Sequence, residues 1–414
     1  MTWTFRISDL YLIQKEKLSV ILFHVGMLIA FLGSLNPWFM WPIGAFYYMP
    51  ATMLIAISLV VSETMGKPVY NRTDYILPLL AFVLFVIYEC FSTGRNINAY
   101  IMILFRIPVI FALFRIDSTR LLQLTTFIAK VMGVLLAASL AGHFLYIFGF
   151  SLPGRSAEFG EYYTFTNHYL FLLDDRNMFA IFPRFNSYFP EPSHIGSASA
   201  FLLFAQWGRW KKWYNIVLIA TIFFSFSLAS YIYLTAIIFL NLWIERKQII
   251  KKLLVVVAIF AGGVIAAFTY NRGDNLVHDL ILLRLEVDDG KLVGDNRVTD
   301  NFQKDYDNFL ASSDILLGRR MEDVEFGNAG FKTFFYEHGL IGILLISAFY
   351  FLAIKNSPNK RAVVSVLIVA GLYFYVSAFM LFEKVIIPLY AAAYLNRESK
   401  RSNNENVLIQ HDKA

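Results

Sequence analysis

The chain is short of what a water-soluble protein needs. Charged residues make up 16% of its 414 positions and hydrophobic ones 57%, whereas soluble domains carry about a quarter charged and about half apolar. That balance excludes an ordinary solution fold. Cysteine is nearly absent: the single Cys90 rules out an intrachain disulfide and leaves no cysteine metal site. No acidic pair has metal-ligand spacing, and DDGKLVGDN at 288–296 lacks the closing glutamate of a calcium loop, so no metal and no cofactor is expected. Lys and Arg exceed Asp and Glu by 36 to 30, but no basic run is joined to a nucleic-acid reading module, so nucleic acid is not an expected partner. The opening MTWTFRISDLYLIQKEK is too mixed and charged for a cleavable leader. No internal repeat is visible, and with it the inverted halves common in secondary transporters are missing.

What the chain does have is apolar runs. A hydrocarbon core of about 30 Å takes roughly 20 apolar residues per helix, and about twelve stretches approach that length: 18–35, 41–63, 75–92, 99–116, 123–149, 194–209, 214–228, 230–245, 252–270, 331–354, 362–381 and 383–396. The break at SFSLAS is slight, so the 214–245 pair also reads as one bent hairpin. The 41 Phe and 23 Tyr suit lipid-facing helices with interfacial aromatic belts. The expectation is an all-α, polytopic membrane protein forming a single membrane domain over 1–414. Basic clusters such as RWKK at 209–212, ERKQIIKK at 245–252 and KNSPNKR at 355–361 fall on one side if the spans alternate. By the positive-inside rule that side, with both termini, is cytoplasmic. Two long polar loops, 150–193 and 271–330, then face outward, and the polar tail 397–414 faces inward. Asn71-Arg72-Thr73 fits a glycosylation acceptor pattern but falls in an inward loop, where it carries no meaning.

Chemistry is expected where these loops meet the membrane. In RFNSYFPEPSHIG, Pro192 suits the first turn of a helix, because its missing N–H costs nothing there. Glu191 and His194, three apart, then share a face. The free N–H groups and positive dipole end of such a helix favour an anion such as pyrophosphate, and Arg184, a short loop away, is placed to clamp it. The bland alternative is that Glu191 only complements the dipole and pairs with Arg184. Tyr162, Tyr163, Phe185 and Tyr188 are either sugar-stacking platforms or interfacial anchors. The second loop mixes Arg297, Arg319 and Arg320 with many carboxylates, which on charge alone is a solvated surface. Arg106 lies in the middle of an apolar run, where charge is costly and faces the bundle interior; Glu89 is a candidate partner, and a lipid-linked phosphate a candidate ligand. Lys130 and Lys384 are read as snorkelling to an interface.

Two stretches together resemble the O-antigen polymerase and ligase superfamily, the Wzy-like membrane glycosyltransferases. One is RFNSYFPEPSHIG, an Arg, aromatic, Glu-Pro element ahead of a membrane helix. The other is the order Asp295-Asn296-Arg297, Phe302, Ile315-Leu316-Leu317-Gly318, Asn328 and Glu337-His338-Gly339-Leu340-Ile341-Gly342. The motifs span about a fifth of the chain. One departure stands out: many members carry a His shortly before the closing helix, where this chain has Gly327-Asn328-Ala329, with His338 later.

The resemblance implies a multi-pass protein of the bacterial inner membrane that acts on an oligosaccharide linked to undecaprenyl pyrophosphate. It would transfer the glycan, without a metal, to the end of another lipid-linked repeat unit of an O-antigen, capsule or exopolysaccharide. Lipid, a flippase and a chain-length regulator are the partners it implies. Arg297 matches the family's loop arginine and Arg184 the second, both as pyrophosphate ligands, with Arg106, Arg319, Arg320 and Asn328 as further substrate contacts. Glu191, His194 and His338 remain alternative proton acceptors. The competing functions are an O-antigen ligase, which uses the same donor, a lipid-linked oligosaccharide flippase, and a structural member of an export complex.

Overall fold

The computed structural model describes residues 7–63, 75–93, 104–160, 163–177, 182–245, 298–319 and 330–394, with discontinuous pieces between 250 and 292. It is mostly helical. In chain order the helices are α1 (Ile7–Gly33), α2 (Tyr48–Glu63, entered through a 3-10 segment Trp38–Tyr47), α3 (Ile76–Thr93), α4 (Arg106–Arg115), α5 (Ser118–Ile147), α6 (Pro192–Ala205), α7 (Trp213–Phe224), α8 (Leu228–Glu245), α9 (Asp300–Leu310), α10 (Gly330–Ile354), α11 (Lys360–Val376) and α12 (Glu383–Tyr394). Five stretches are long and apolar enough to cross a membrane: Glu16–Gly33, Trp38–Ser62, Ser118–Ile147, Leu228–Glu245 and Gly330–Ile354. The expected spans that fall within the described residues lie on helices, because a long apolar run must satisfy its own backbone wherever water is absent; the expected span 252–270 lies largely outside the described residues, and α9 falls where a polar loop was expected. The run at 214–245 is a pair of helices joined by a tight turn. They are parted at Ser225–Ser227, where Phe226 takes a positive φ of 44°.

Starts are fixed by side chains that accept the free N–H groups of a first turn. Asp117 accepts from Arg120 N at 2.8 Å ahead of α5. Asn359 accepts from Arg361 N and Ala362 N ahead of α11, and Thr299 from Phe302 N ahead of α9.

Two helices differ in kind from the rest. At 1.5 Å per residue, α6 with 14 residues and α12 with 12 extend only about 21 and 18 Å, short of a hydrocarbon core. Every residue of α6 except Ser193 and His194 is buried, and so is every residue of α12 except Tyr394. Helices apolar and covered on all sides belong to the middle of a bundle. They lie against each other, with α7 and α8 also flanking α6 and α5 and α11 flanking α12. This corrects the reading of 194–209 and 383–396 as ordinary spans: they are an inner pair wrapped by the longer helices.

The loop at 150–193 departs from the all-α expectation. It holds a three-stranded antiparallel sheet, β1 (Arg155–Phe159), β2 (Tyr163–Asn167) and β3 (Leu172–Asp174), in the order β1-β2-β3 with Phe165 opposite Asp174. Alternation puts Tyr163, Phe165 and Asn167 on one face, with Phe165 and Asn167 fully buried. Trp41 of the 3-10 segment closes that face, its ring 4.9 Å from Phe159 and 6.0 Å from Phe165. A two-stranded ribbon, β4 (Val287–Asp288) and β5 (Lys291–Leu292), lies in the second loop.

Candidate active site

The Glu191 carboxylate stands immediately ahead of α6, with Pro192 in the first turn as the sequence suggests. It does not cap its own helix; it is held from the sheet instead. Tyr163 on the inner face of β2 donates its hydroxyl to Glu191 Oε1 at 2.6 Å, and Ser193 Oγ donates to Oε2 at 2.8 Å. His194 Nε2 lies 3.8 Å from the same Oε2. Burial pushes the Glu191 carboxyl up, but His194, the two hydroxyls and Lys384 outweigh it and hold the group below the usual carboxylate range. The Tyr163 phenol is raised, first by burial and then by the carboxylate it serves, so it remains a donor. Arg176 lies 5.3 Å over the Tyr163 ring and is itself gripped by Asp174 through bonds of 2.9 and 2.6 Å.

Across from Glu191 lies the head of α12. Glu383 and Lys384 are 0% and 1% exposed. Glu383 receives the Tyr48 hydroxyl at 2.7 Å and Arg106 Nε at 3.3 Å, while an Arg106 Nη2 also donates to the Leu381 carbonyl. Arg106 is thus matched by Glu383, 277 residues on, rather than primarily by Glu89 as the sequence suggested. Lys384 does not snorkel to an interface. Its side chain turns into the protein, 5.4 Å from the Phe382 ring and within electrostatic reach of Glu191.

On the other side of Arg106 opens a cavity of about 170 Å³ lined by Glu89, Thr333, Glu337 and His338 together with Phe334 and Phe382. His338 sits at the kink of α10, stacked on Phe334 with ring centroids 4.5 Å apart, its Nδ1 3.1 Å from the Phe334 carbonyl oxygen. Gly339 causes that kink with a φ of 58°. The step Ile315-Leu316-Leu317-Gly318 lies directly on it. Ile341 N donates to Leu316 O at 3.2 Å and Arg319 N to Tyr336 O at 2.7 Å. The Tyr88 hydroxyl sits 2.6 Å from Leu317 O and 2.9 Å from His338 O. A small aromatic core of Phe302, Tyr306, Phe309 and Tyr336 fastens α9 to α10 beside it.

Of the residues singled out from sequence, Glu191 and His194 meet in one site, and Arg106 and His338 line the cavity next to it. Arg184 lies at the α7–α8 turn, where its Nε donates to Ser225 O at 3.4 Å. Arg319 is committed to Asp314 at 2.6 Å, with Asp305 at 3.7 Å. Phe185 is fully buried and Tyr188 nearly so; they are core residues rather than open sugar platforms, and Tyr163 is a hydrogen-bond donor. Arg297, Arg320, Asn328 and Tyr162 fall outside the described residues. Sequence reasoning missed Tyr48, and the roles of Tyr163, Glu383 and Lys384. The last two carried a signal, two adjacent opposite charges opening an apolar run. Among the described residues no group of three or more His, Cys, Asp or Glu is arranged to hold a metal ion. Comparison of the chain with protein-family models, with curated proteins and with solved structures gives no match.

Proposed function

We propose that the protein is a membrane glycosyltransferase that lengthens a surface polysaccharide, transferring a glycan from a polyprenyl-pyrophosphate carrier to the end of another lipid-linked repeat unit. The observation that carries this reading is the Glu191 carboxylate: ionised, half-buried, aimed by the Tyr163 and Ser193 hydroxyls and set at the head of an inner helix. A pyrophosphate already leaves readily, so the reaction asks little more of the protein than positive charge around the departing group and a base for the incoming hydroxyl. In this reading the acceptor sugar's hydroxyl oxygen attacks the anomeric carbon of the donor as its bond to the pyrophosphate oxygen breaks. The hydroxyl proton passes to Glu191, and the carrier departs as pyrophosphate. Direct displacement of this kind inverts the anomeric configuration.

The test uses cells lacking the native protein and complemented with wild type or Glu191→Gln, with membrane levels confirmed by blot. Wild type is expected to give a ladder of glycan lengths on a gel, and the variant single-repeat product only. A full ladder from well-expressed Glu191→Gln would remove Glu191 from the chemistry. Ladder growth in a reconstituted system whose lipid-linked substrate already faces outward separates a polymerase from a flippase, which has nothing to do there.

A further inference from the structure

We propose that the cavity beside Arg106 is a subsite for one uncharged sugar ring of the lipid-linked glycan, with Glu89 and Glu337 accepting its hydroxyls and phenylalanine rings covering its apolar face. This rests on the reading of the protein as a glycan transferase and names the part of the substrate that the cavity takes. Helix ends set the place. Glu89 lies near the end of α3, Arg106 opens α4, Gly330 opens α10, and the connector Ser377–Phe382 joins the end of α11 to the start of α12. All of them line the cavity, the connector along its whole length. That connector is held by the Tyr350 hydroxyl on the Met380 carbonyl and by Arg106 on the Leu381 carbonyl, and its Ala378 takes a φ of 54°. Irregular backbone among membrane helices persists where protein buries it or where it borders a wet cavity. A left-handed alanine is strain of the kind that gathers at ligand sites.

Charge decides what fits. Arg106 gives Nε to Glu383 and Nη2 to the Leu381 carbonyl, which uses two of the five N–H groups of a guanidinium. Its charge is thereby matched by a fully buried carboxylate, and Glu89 and Glu337 come in addition. Among the described residues, three carboxylates thus stand around one guanidinium and the His338 ring, and an entering phosphate would meet the surplus. The start of α10 pulls the other way, but only with a partial charge of about half a unit. A divalent cation finds no group of three His, Cys, Asp or Glu among the described residues. A polyol meets neither objection, because its hydroxyls donate to carboxylates in strong charge-assisted bonds and accept from the guanidinium. The walls suit its C–H faces: Phe85 of α3 is stacked 5.9 Å from Phe334 of α10, and Phe379 is stacked 5.4 Å from Phe382 in the connector. A volume of about 170 Å³ equals that of roughly six waters, room for one ring rather than two. Arg106 on this assignment meets sugar, not the pyrophosphate that the resemblance implies.

The experiment is saturation-transfer NMR on the full-length protein in a detergent without a sugar headgroup, with the methyl glycosides of glucose, galactose, mannose and N-acetylglucosamine as probes and sodium pyrophosphate as competitor. Wild type is compared with Glu337→Gln, which removes a carboxylate, and Thr333→Phe, which fills the cavity; thermal unfolding confirms that each is folded. Transfer to the ring protons of at least one glycoside is expected from wild type. Its binding should weaken roughly tenfold or more in Glu337→Gln, vanish in Thr333→Phe and withstand pyrophosphate. Absence of transfer from every glycoside, transfer unchanged in the variants, or displacement by pyrophosphate would overturn the proposal. If Thr333→Phe fails to accumulate, Glu337→Gln decides alone, since its side chain is partly exposed and the change keeps its shape. The two readings fail separately: a wild-type ladder without sugar transfer removes the subsite and keeps the polymerase, whereas sugar transfer without a wild-type ladder removes the polymerase and keeps the sugar site.

Discussion

The Arg106 guanidinium and the Glu383 carboxylate meet 3.3 Å apart between the start of α4 and the start of α12, with side chains 6% and 0% exposed. Removing one member strands the other in the bundle, which costs about 3–5 kcal/mol, whereas replacing both by apolar residues of similar bulk is often close to neutral. Arg106→Leu is therefore expected to lose most of its membrane level, and Arg106→Leu/Glu383→Leu to regain it. Blotting and thermal unfolding check this; a double variant no better than the single would show that the pair has a second duty.

Tyr163→Phe removes a hydroxyl that donates to a charged acceptor, an interaction of about 1.5–3 kcal/mol. Ladder formation should fall without loss of protein, and the remaining activity should disappear at higher pH than in wild type. The direction follows from the hydrogen bond, which favours the ionised form of Glu191.

The same carboxyl predicts a pH dependence of stability. Its pKa is lower in the folded protein than in the unfolded chain, so its contribution is fully present above the unfolded value and is lost as pH falls through the folded one. Stepping a detergent solution down through the acid range should lower the wild-type Tm more steeply than that of Glu191→Gln. Parallel curves would mean that Glu191 is not held ionised.

A Cβ built on Gly318, whose φ is 86°, would lie 2.3 Å from the Glu337 carbonyl oxygen. Gly318→Ala must therefore strain its own backbone or push the α10 kink aside, at about 1–3 kcal/mol, and Gly339→Ala meets the Leu316 carbonyl oxygen at 2.5 Å. Both should lower Tm by several degrees, and because His338 is seated by the same kink, any activity that uses it should fall too.

Arg319 yields the opposite expectation. Its partners Asp314 and Asp305 are partly exposed, and its own side chain is 28% exposed, so Arg319→Ala should cost no more than about 1 kcal/mol and leave the ladder intact. A lost ladder at normal protein level would restore it to the substrate contacts expected from the sequence.

How far the sequence could be read depends on the range of the forces involved. The helices other than α9 were legible because each is declared by a local apolar run, and the start of α6 because Glu191-Pro192 is a local signal; α9, DNFQKDYDNFL, is polar and lies in what reads as a loop. The sheet was not: β1 to β3 are three to five residues each, set among the turns of a polar loop, and their pairing is a tertiary fact. Tyr163 could not be matched to Glu191 without that pairing. Arg106 was correctly placed in the interior, but its partner is 277 residues away. Lys384 was misread because a lysine near a helix end snorkels when water is near, and here the helix begins inside the bundle.

The kink at Gly339 breaks α10 and releases backbone groups that a continuous helix would have kept. They are taken up by the chain at 315–319 and by one tyrosine, almost wholly through main-chain atoms. The side chains of Leu316 and Leu317 play no part and remain 54% and 60% exposed. The junction between the second loop and the bundle should therefore show an uneven mutational tolerance: nearly any residue accepted at 316 and 317, and almost none but glycine at 318 and 339.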